Sequence, residues 1–95
     1  MKLRPVLLLT GPIGSVPEVL VAYISSVRPS TLLPSDIVLD PATADHASTN
    51  LKTRSVLRLH KLATIHARSV VRRLGTLPNA LAAEVDDKLR GLLSI

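Results

Sequence analysis

Cysteine, tryptophan and phenylalanine are absent from this sequence. Without cysteine there is no disulfide framework, no thiolate metal site and no cysteine nucleophile, and the composition suits a reducing cytoplasm. Tyr23 is the single aromatic residue. This argues against RNA-binding folds that stack several bases on aromatic side chains. Because Tyr23 lies inside an apolar run, we expect it in a core otherwise packed with aliphatic side chains.

Acidic residues are also missing from a long part of the chain, between Asp45 and Glu84. The whole sequence carries a formal net charge of +5. A surface of one sign attracts phosphate groups or an acidic protein, and the alternative is a solvated surface without a partner. The basic residues of this segment are Lys52, Arg54, Arg58, Lys61, Arg68, Arg72 and Arg73.

A long uninterrupted apolar run is the third feature that the sequence lacks. Residues 2–16 begin with positive charges and continue with aliphatic residues, as a signal peptide does, but Pro5, Gly11 and Pro12 interrupt the run. We therefore expect neither a cleaved signal peptide nor a membrane-spanning helix. The 95 residues, 46% of them hydrophobic, predict one globular domain with a small core. A partner subunit would add stability to so small a core.

The pattern along the chain predicts five short strands. Their bounds follow from β-branched content, from alternation of apolar and polar residues, and from proline or glycine at the ends. Within the fourth strand, Ser55, Leu57 and Leu59 are expected on one face, and Val56, Arg58 and His60 on the other. The predicted strands are residues 5–10, 18–26, 36–40, 55–59 and 69–74.

The apolar period changes after Gly75 and predicts a C-terminal helix. Pro78 lies where a helix would begin, and proline is tolerated at that place. Leucine and valine then recur at helical spacing, and two acid–base pairs follow the favourable i,i+4 order. Five strands and one helix predict a mainly β, α+β domain, a small and partly open barrel. The apolar stripe is Leu81, Val85, Leu89 and Leu92, and the pairs are Glu84–Lys88 and Asp86–Arg90.

Six segments, in order and with consistent spacing, resemble the MazF/PemK-like toxins of type II toxin–antitoxin systems. Their order and spacing are more specific than any one of them alone. The resemblance implies the SH3-like, partly open barrel with a C-terminal helix that MazF and CcdB toxins share. The segments are residues 3–9 (LRPVLLL), 21–26 (VAYISS), 51–59 (LKTRSVLRL), 61–65 (KLATI), 71–78 (VRRLGTLP) and 83–89 (AEVDDKL).

The resemblance also implies an activity: cutting of single-stranded RNA without a metal ion or other cofactor. In that chemistry the 2′-hydroxyl of the RNA attacks the adjacent phosphate. Arg4 would be the catalytic residue that stabilises the growing negative charge, since its planar guanidinium holds phosphate with two parallel bonds. Ser25 would be the catalytic hydroxyl that orients a phosphate oxygen. The expected RNA-binding residues are Arg54, Arg58, Arg72 and Arg73.

Family members usually carry a further strand with Gly-Asp before the Arg-Pro pair, whereas here only three residues precede Arg4. The resemblance therefore implies that residues 1–95 are a single domain shortened at its beginning, or that translation starts upstream. Ser25 stands where the family commonly has threonine, and serine keeps the hydroxyl group. The implied partners are single-stranded RNA, a cognate acidic antitoxin and a second copy of the chain, in the cytoplasm and away from membranes.

Three other functions compete with this one. A shortened relative could bind the antitoxin without cutting RNA, and a basic adaptor domain would need no catalytic motif. A gyrase poison of the CcdB kind is disfavoured, because those toxins carry a C-terminal aromatic residue and this chain ends in Ile95.

The three histidines, His46, His60 and His66, could suggest histidine acid–base catalysis, but their spacing gives no metal set or helix-face pair. We expect these three to be structural or surface residues.

Overall fold

The computed structural model describes residues 3–95, which form one antiparallel sheet and one α-helix. Two short 3-10 helices, Ala44–Thr49 and Ala67–Ser69, lie in the connections before and after the last strand. The strands are β1 (Val6–Leu8), β2 (Glu18–Ser25), β3 (Asp36–Leu39) and β4 (Ser55–His66), and the helix is α1 (Asn79–Leu93).

The strands lie in the order β1-β2-β4-β3, and the sheet curls into a half-barrel. This confirms the predicted class, a mainly β, partly open barrel with a C-terminal helix. The predicted first strand is shorter than expected, and it is half-buried because it lies at the sheet edge.

β4 bends where its pairing with β2 changes register. Leu62 lies opposite Ala22, whereas the next residue of β2, Tyr23, lies opposite Arg58. The three residues of β4 between these partners, 59–61, are left without a partner in β2. Such a bulge lets one long strand follow the curl of the sheet. It also reverses the alternation of faces, which is why the sequence pattern predicted a strand that stopped at residue 59.

The main hydrophobic cluster lies between one face of the sheet and α1, and the buried apolar residues outside it are Val19, Val21 and Val56. Leu57 and Leu59 are fully buried there, and Leu62, beyond the bulge, packs against the same cluster. A bulge of three residues therefore keeps side chains of both halves of β4 on the core side. The helix contributes Leu81 and Val85, both buried.

The predicted helix is confirmed. It begins at Asn79, directly after Pro78, and Leu89 packs partly against the core while Leu92 is exposed. Both predicted i,i+4 pairs form, Glu84–Lys88 at 3.6 Å and Asp86–Arg90 at 3.3 Å. Among the described residues, no helix is long and apolar enough to cross a membrane.

The predicted fifth strand at residues 69–74 is wrong. Residues 70–78 are an irregular segment, held by the loop before β4 and not by a strand ladder. The backbone N–H of Thr76 donates to the Ser48 carbonyl at 2.9 Å, and the Asn50 side-chain amide donates to the Leu74 carbonyl at 3.0 Å. These loop contacts outweigh the local β-propensity, which depends strongly on context.

Candidate functional site

Arg4 and Ser25 are brought to one end of the sheet by the pairing of β1 with β2. Val6 lies opposite Tyr23, and the Ile24 N–H donates to the Pro5 carbonyl at 3.3 Å, one residue beyond the end of β1. Continuing this register by one more pair sets Arg4 opposite Ser25. Hydrogen-bonded and non-hydrogen-bonded pairs alternate, so this pair would be non-hydrogen-bonded, the kind in which side chains lie closer together.

The Ser25 side chain is half-buried at the end of β2 and engages the backbone two residues on. Its hydroxyl donates to the Val27 carbonyl at 3.3 Å and accepts the Val27 N–H at 3.1 Å. Such local bonds are typical of serine in turns. They hold Oγ at the strand end, and the longer, exposed O–H···O bond is the one that a ligand oxygen could replace.

Arg58 lies on the same face of the sheet as Ser25. It stands opposite Tyr23 on β2 and opposite Asp36 on β3. Its Nε donates to Asp36 Oδ1 at 3.0 Å, and Asp36 Oδ2 accepts the Leu33 N–H at 2.8 Å. The Asp36 side chain is fully buried, and that of Arg58 is 16% exposed.

The sequence predicts Arg58 as an RNA-binding residue and predicts no acidic partner for it. In the structure, Arg58 pairs with Asp36. Its carboxylate holds one edge of the guanidinium, so the orientation of Arg58 is set by the protein. Part of the Arg58 side chain remains at the surface. No sequence motif links the two residues, which are 22 positions apart.

The other three predicted RNA-binding arginines are all exposed. Arg54 directly precedes β4 and lies at the end of the sheet where Ser25 pairs with Val56. It also lines a surface cleft of about 460 Å³ with Lys52 and Asp40. Arg72 and Arg73 lie on the irregular segment between the Ala67–Ser69 turn and α1, outside the sheet. Ser25 and Arg58 thus lie within strands of the sheet, Arg4 and Arg54 lie shortly before β1 and β4, and Arg72 and Arg73 lie on a separate element.

The expectation that Tyr23 belongs to the core is wrong, since 38% of this residue is exposed. Ala22 and Ile24 point into the core cluster, so Tyr23, between them, points to the opposite face. An apolar run with one large polar-tipped side chain does not reveal which set of alternate residues faces the core. Tyr23 is consequently a part of the Ser25 face that the sequence prediction missed.

The imidazole of each of the three histidines lies near another group of the protein. His46 Nδ1 accepts the Asp40 N–H and His66 Nδ1 accepts the Arg68 N–H, both at 3.0 Å. His60 Nδ1 lies 3.9 Å from Asp36 Oδ1. Within the part of the chain that the structure describes, no group of three His, Asp or Glu side chains could hold a metal ion.

A curled antiparallel half-barrel with a C-terminal helix is also the fold of solved MazF toxin structures. A family model described as "PemK-like, MazF-like toxin of type II toxin-antitoxin system" matches residues 1–93. The chain belongs to this family, and the resemblance stated from the sequence is confirmed.

Two solved structures share the fold. One, a Mycobacterium tuberculosis toxin named MazF-mt6, superposes with a TM-score of 0.75 at 23% identity, over 97% of this chain and 87% of that chain. The other, described as an Mtb toxin, has a TM-score of 0.72 at 24% identity, over 93% of this chain and 90% of that chain. Among curated proteins, no match was found.

Proposed function

We propose that this toxin-family chain is an endoribonuclease that cuts single-stranded RNA without a metal ion. The 2′-oxygen of the RNA forms a bond to the adjacent phosphorus and the bond from phosphorus to the 5′-oxygen breaks. The proton lost by the 2′-hydroxyl is balanced by one gained on the leaving 5′-oxygen. The products are a cyclic phosphate and a 5′-hydroxyl end. The observation that carries the proposal is the pairing of β1 with β2, whose continuation sets Arg4 opposite Ser25.

Arg4 would stabilise the transition state electrostatically. As negative charge grows on the non-bridging phosphate oxygens, a guanidinium can donate two parallel N–H bonds to them and keeps its charge throughout. Arg4 is exposed and precedes a strand that is paired on one side only, so RNA can approach it. The same permanent charge makes arginine a poor proton carrier, which is why we assign it stabilisation of charge.

Ser25 would donate its hydroxyl hydrogen to a phosphate oxygen of the bound RNA. To do so it would exchange its 3.3 Å bond to the Val27 carbonyl for the bond to phosphate, while the Val27 N–H continues to hold Oγ. Hydrogen bonds to a charged acceptor are stronger than neutral ones, which favours the exchange. Threonine at this place would keep the same donor.

Arg54 and Arg58 would hold the RNA backbone on either side of the reacting phosphate. Both belong to the sheet end that carries Ser25, and Arg58 is already oriented by Asp36. Arg72 and Arg73 would contact the backbone further along. The length of chain without acidic residues leaves little on this surface to repel phosphate.

The proposed partners follow from the same charges and from the family. An acidic antitoxin would compete with RNA for the basic surface, and the family implies assembly as a homodimer in the cytoplasm. A second copy would also add to the small core of a 95-residue chain.

The decisive experiment is cleavage of a long single-stranded RNA by the purified chain in EDTA, with end analysis for 5′-hydroxyl groups. We expect Arg4→Ala to lower the rate by about 100-fold or more, the loss typical of a missing charge-stabilising donor. Ser25→Ala should slow cleavage and Ser25→Thr should restore it. Arg68→Ala is the matched control, an exposed arginine in the 3-10 helix that follows β4.

Cleavage at the native rate by Arg4→Ala would overturn the assignment of the site. If the folded native chain bound RNA or an antitoxin peptide but cut nothing, the chain would be a binding member of the family, and the proposed enzymatic activity would be wrong.

A further inference from the structure

Tyr23 is the one large aromatic side chain of the protein, and it is exposed on the face that carries Ser25 and Arg58. We propose that Tyr23 is a base-stacking residue, on which the base next to the reacting phosphate of single-stranded RNA lies flat. This inference rests on the proposed function, because it takes the substrate to be RNA bound at Arg4 and Ser25.

The position of the ring suits this role. Tyr23 and Ser25 are two residues apart on β2, so they share a face and lie about 7 Å apart along the strand. That distance is on the scale of one nucleotide of an extended strand. A phosphate held by Ser25 and Arg4 would therefore leave a neighbouring base within reach of the Tyr23 ring.

The residues opposite Tyr23 on the two neighbouring strands are one apolar and one cationic residue. Val6 lies opposite on β1, and Arg58 lies opposite on β4. Val6 offers an apolar side wall. Arg58 is held through its Nε by the buried carboxylate of Asp36, which leaves its other guanidinium N–H groups without a hydrogen bond to Asp36 and able to donate to a phosphate.

The chemistry of this surface favours a nucleic-acid base over an apolar protein segment. An isolated aromatic ring flanked by arginines is the combination that single-stranded nucleic-acid binding uses, since every base has a π-face and every linkage a negative charge. The Asp36 carboxylate next to Arg58 is fully buried, so it presents little negative surface to phosphate. Such stacking does not depend on the identity of the base.

Intrinsic fluorescence tests the proposal without any substitution, because Tyr23 is the only tyrosine and there is no tryptophan. The probe is a short 2′-O-methylated RNA strand of mixed sequence, which cannot be cut because its 2′-oxygen cannot attack. The matched probe is the same strand with abasic sugars. We expect the base-bearing strand to quench the tyrosine emission and the abasic strand to bind without quenching.

Two variants give the corresponding affinities. Tyr23→Leu keeps an apolar side chain without a ring, and it should weaken binding of the base-bearing strand by about 5- to 100-fold. It should leave binding of the abasic strand unchanged, and Tyr23→Phe should restore binding of the base-bearing strand. A residue that only supports the sheet would affect both strands alike. Circular dichroism confirms that each variant folds.

Cleavage of RNA by a native chain whose emission is not quenched by the base-bearing strand would overturn stacking while leaving the proposed function intact. Quenching without any cleavage would support stacking and overturn the cleavage. Equal affinity of Tyr23→Leu and native protein for the base-bearing strand would also overturn the proposal. If the native chain binds neither strand, both the stacking and the RNA site are wrong.

Discussion

The buried ion pair between Arg58 and Asp36 makes a quantitative prediction about stability. Arg58→Met keeps most of the apolar stem and removes the guanidinium, so the fully buried Asp36 carboxylate retains the Leu33 N–H at 2.8 Å. Removing one partner of a buried pair typically costs about 3–5 kcal/mol. Because the Arg58 side chain is 16% exposed and the Leu33 bond remains, we expect a loss of about 2–3 kcal/mol.

Urea unfolding followed by far-ultraviolet circular dichroism would measure this loss at one fixed protein concentration. In a separate thermal scan, a domain of this size shifts its Tm by about 4–8 °C per kcal/mol, so the Tm should fall by roughly 10–20 °C. The matched control is Arg90→Met, which removes the arginine of the pair with Asp86. Those side chains are 63% and 64% exposed, and we expect a change below about 0.5 kcal/mol.

A double-mutant cycle would separate the pair from its surroundings. Asp36→Asn removes the buried charge, so Arg58→Met should cost less in that background than in the native protein. We expect a coupling free energy of about 1.5–3 kcal/mol for two groups in contact. Additive effects, together with a loss below about 0.5 kcal/mol for Arg58→Met alone, would refute a buried pair that determines the orientation of Arg58.

Four further variants test the fold and the basic surface. Gly75→Ala should destabilise the protein, since a Cβ there would lie 2.6 Å from backbone atoms of the loop before β4. Gly91 lies in helix α1 with open space around it, so Gly91→Ala should stabilise the protein by about 0.5–1 kcal/mol. Thermal unfolding of the two variants would show opposite shifts. Replacing Arg72 and Arg73 together with Ala should weaken RNA binding and flatten its salt dependence, and an unchanged slope in a salt titration would remove both from the RNA surface. Leu57→Ala should cost about 2–5 kcal/mol in a urea titration because the side chain is fully buried.

Much of the fold could be predicted from local patterns. The spacing of Leu81, Val85 and Leu89 and the two i,i+4 pairs are properties of one helix, so no distant contact was needed to predict it. The bounds of β2 and β3 followed in the same way from apolar runs between prolines and loops.

The prediction failed where distant contacts compete with local preference. Residues 69–74 have the composition of a strand, but the chain there is held by the loop before β4. The second half of β4 was missed because the bulge opposite Ala22 and Tyr23 shifts the alternation of its side chains. A periodicity rule that assumes an unbroken ladder cannot detect such a shift.

For the candidate site too, some features follow from the sequence and others from contacts between distant residues. The sequence alone determined the side chains and their charges: Arg4, Ser25 and a long basic segment without acidic residues, in an order that resembles a toxin family. These are properties of composition and of motif spacing. They were sufficient to identify the family before any contact between distant residues was known.

Only the tertiary structure decided how these side chains meet. The register of β1 against β2 would set Arg4 across from Ser25 if it continued by two residues beyond β1. The register of β4 against β3 gives Arg58 its acidic partner, and Tyr23 lies on the face where its side chain is exposed. Each depends on which residues of two separated strands lie opposite each other. A shift of one residue would turn every side chain of a strand to the other face, so strand pairing, and not the local sequence, determines the surface of the site.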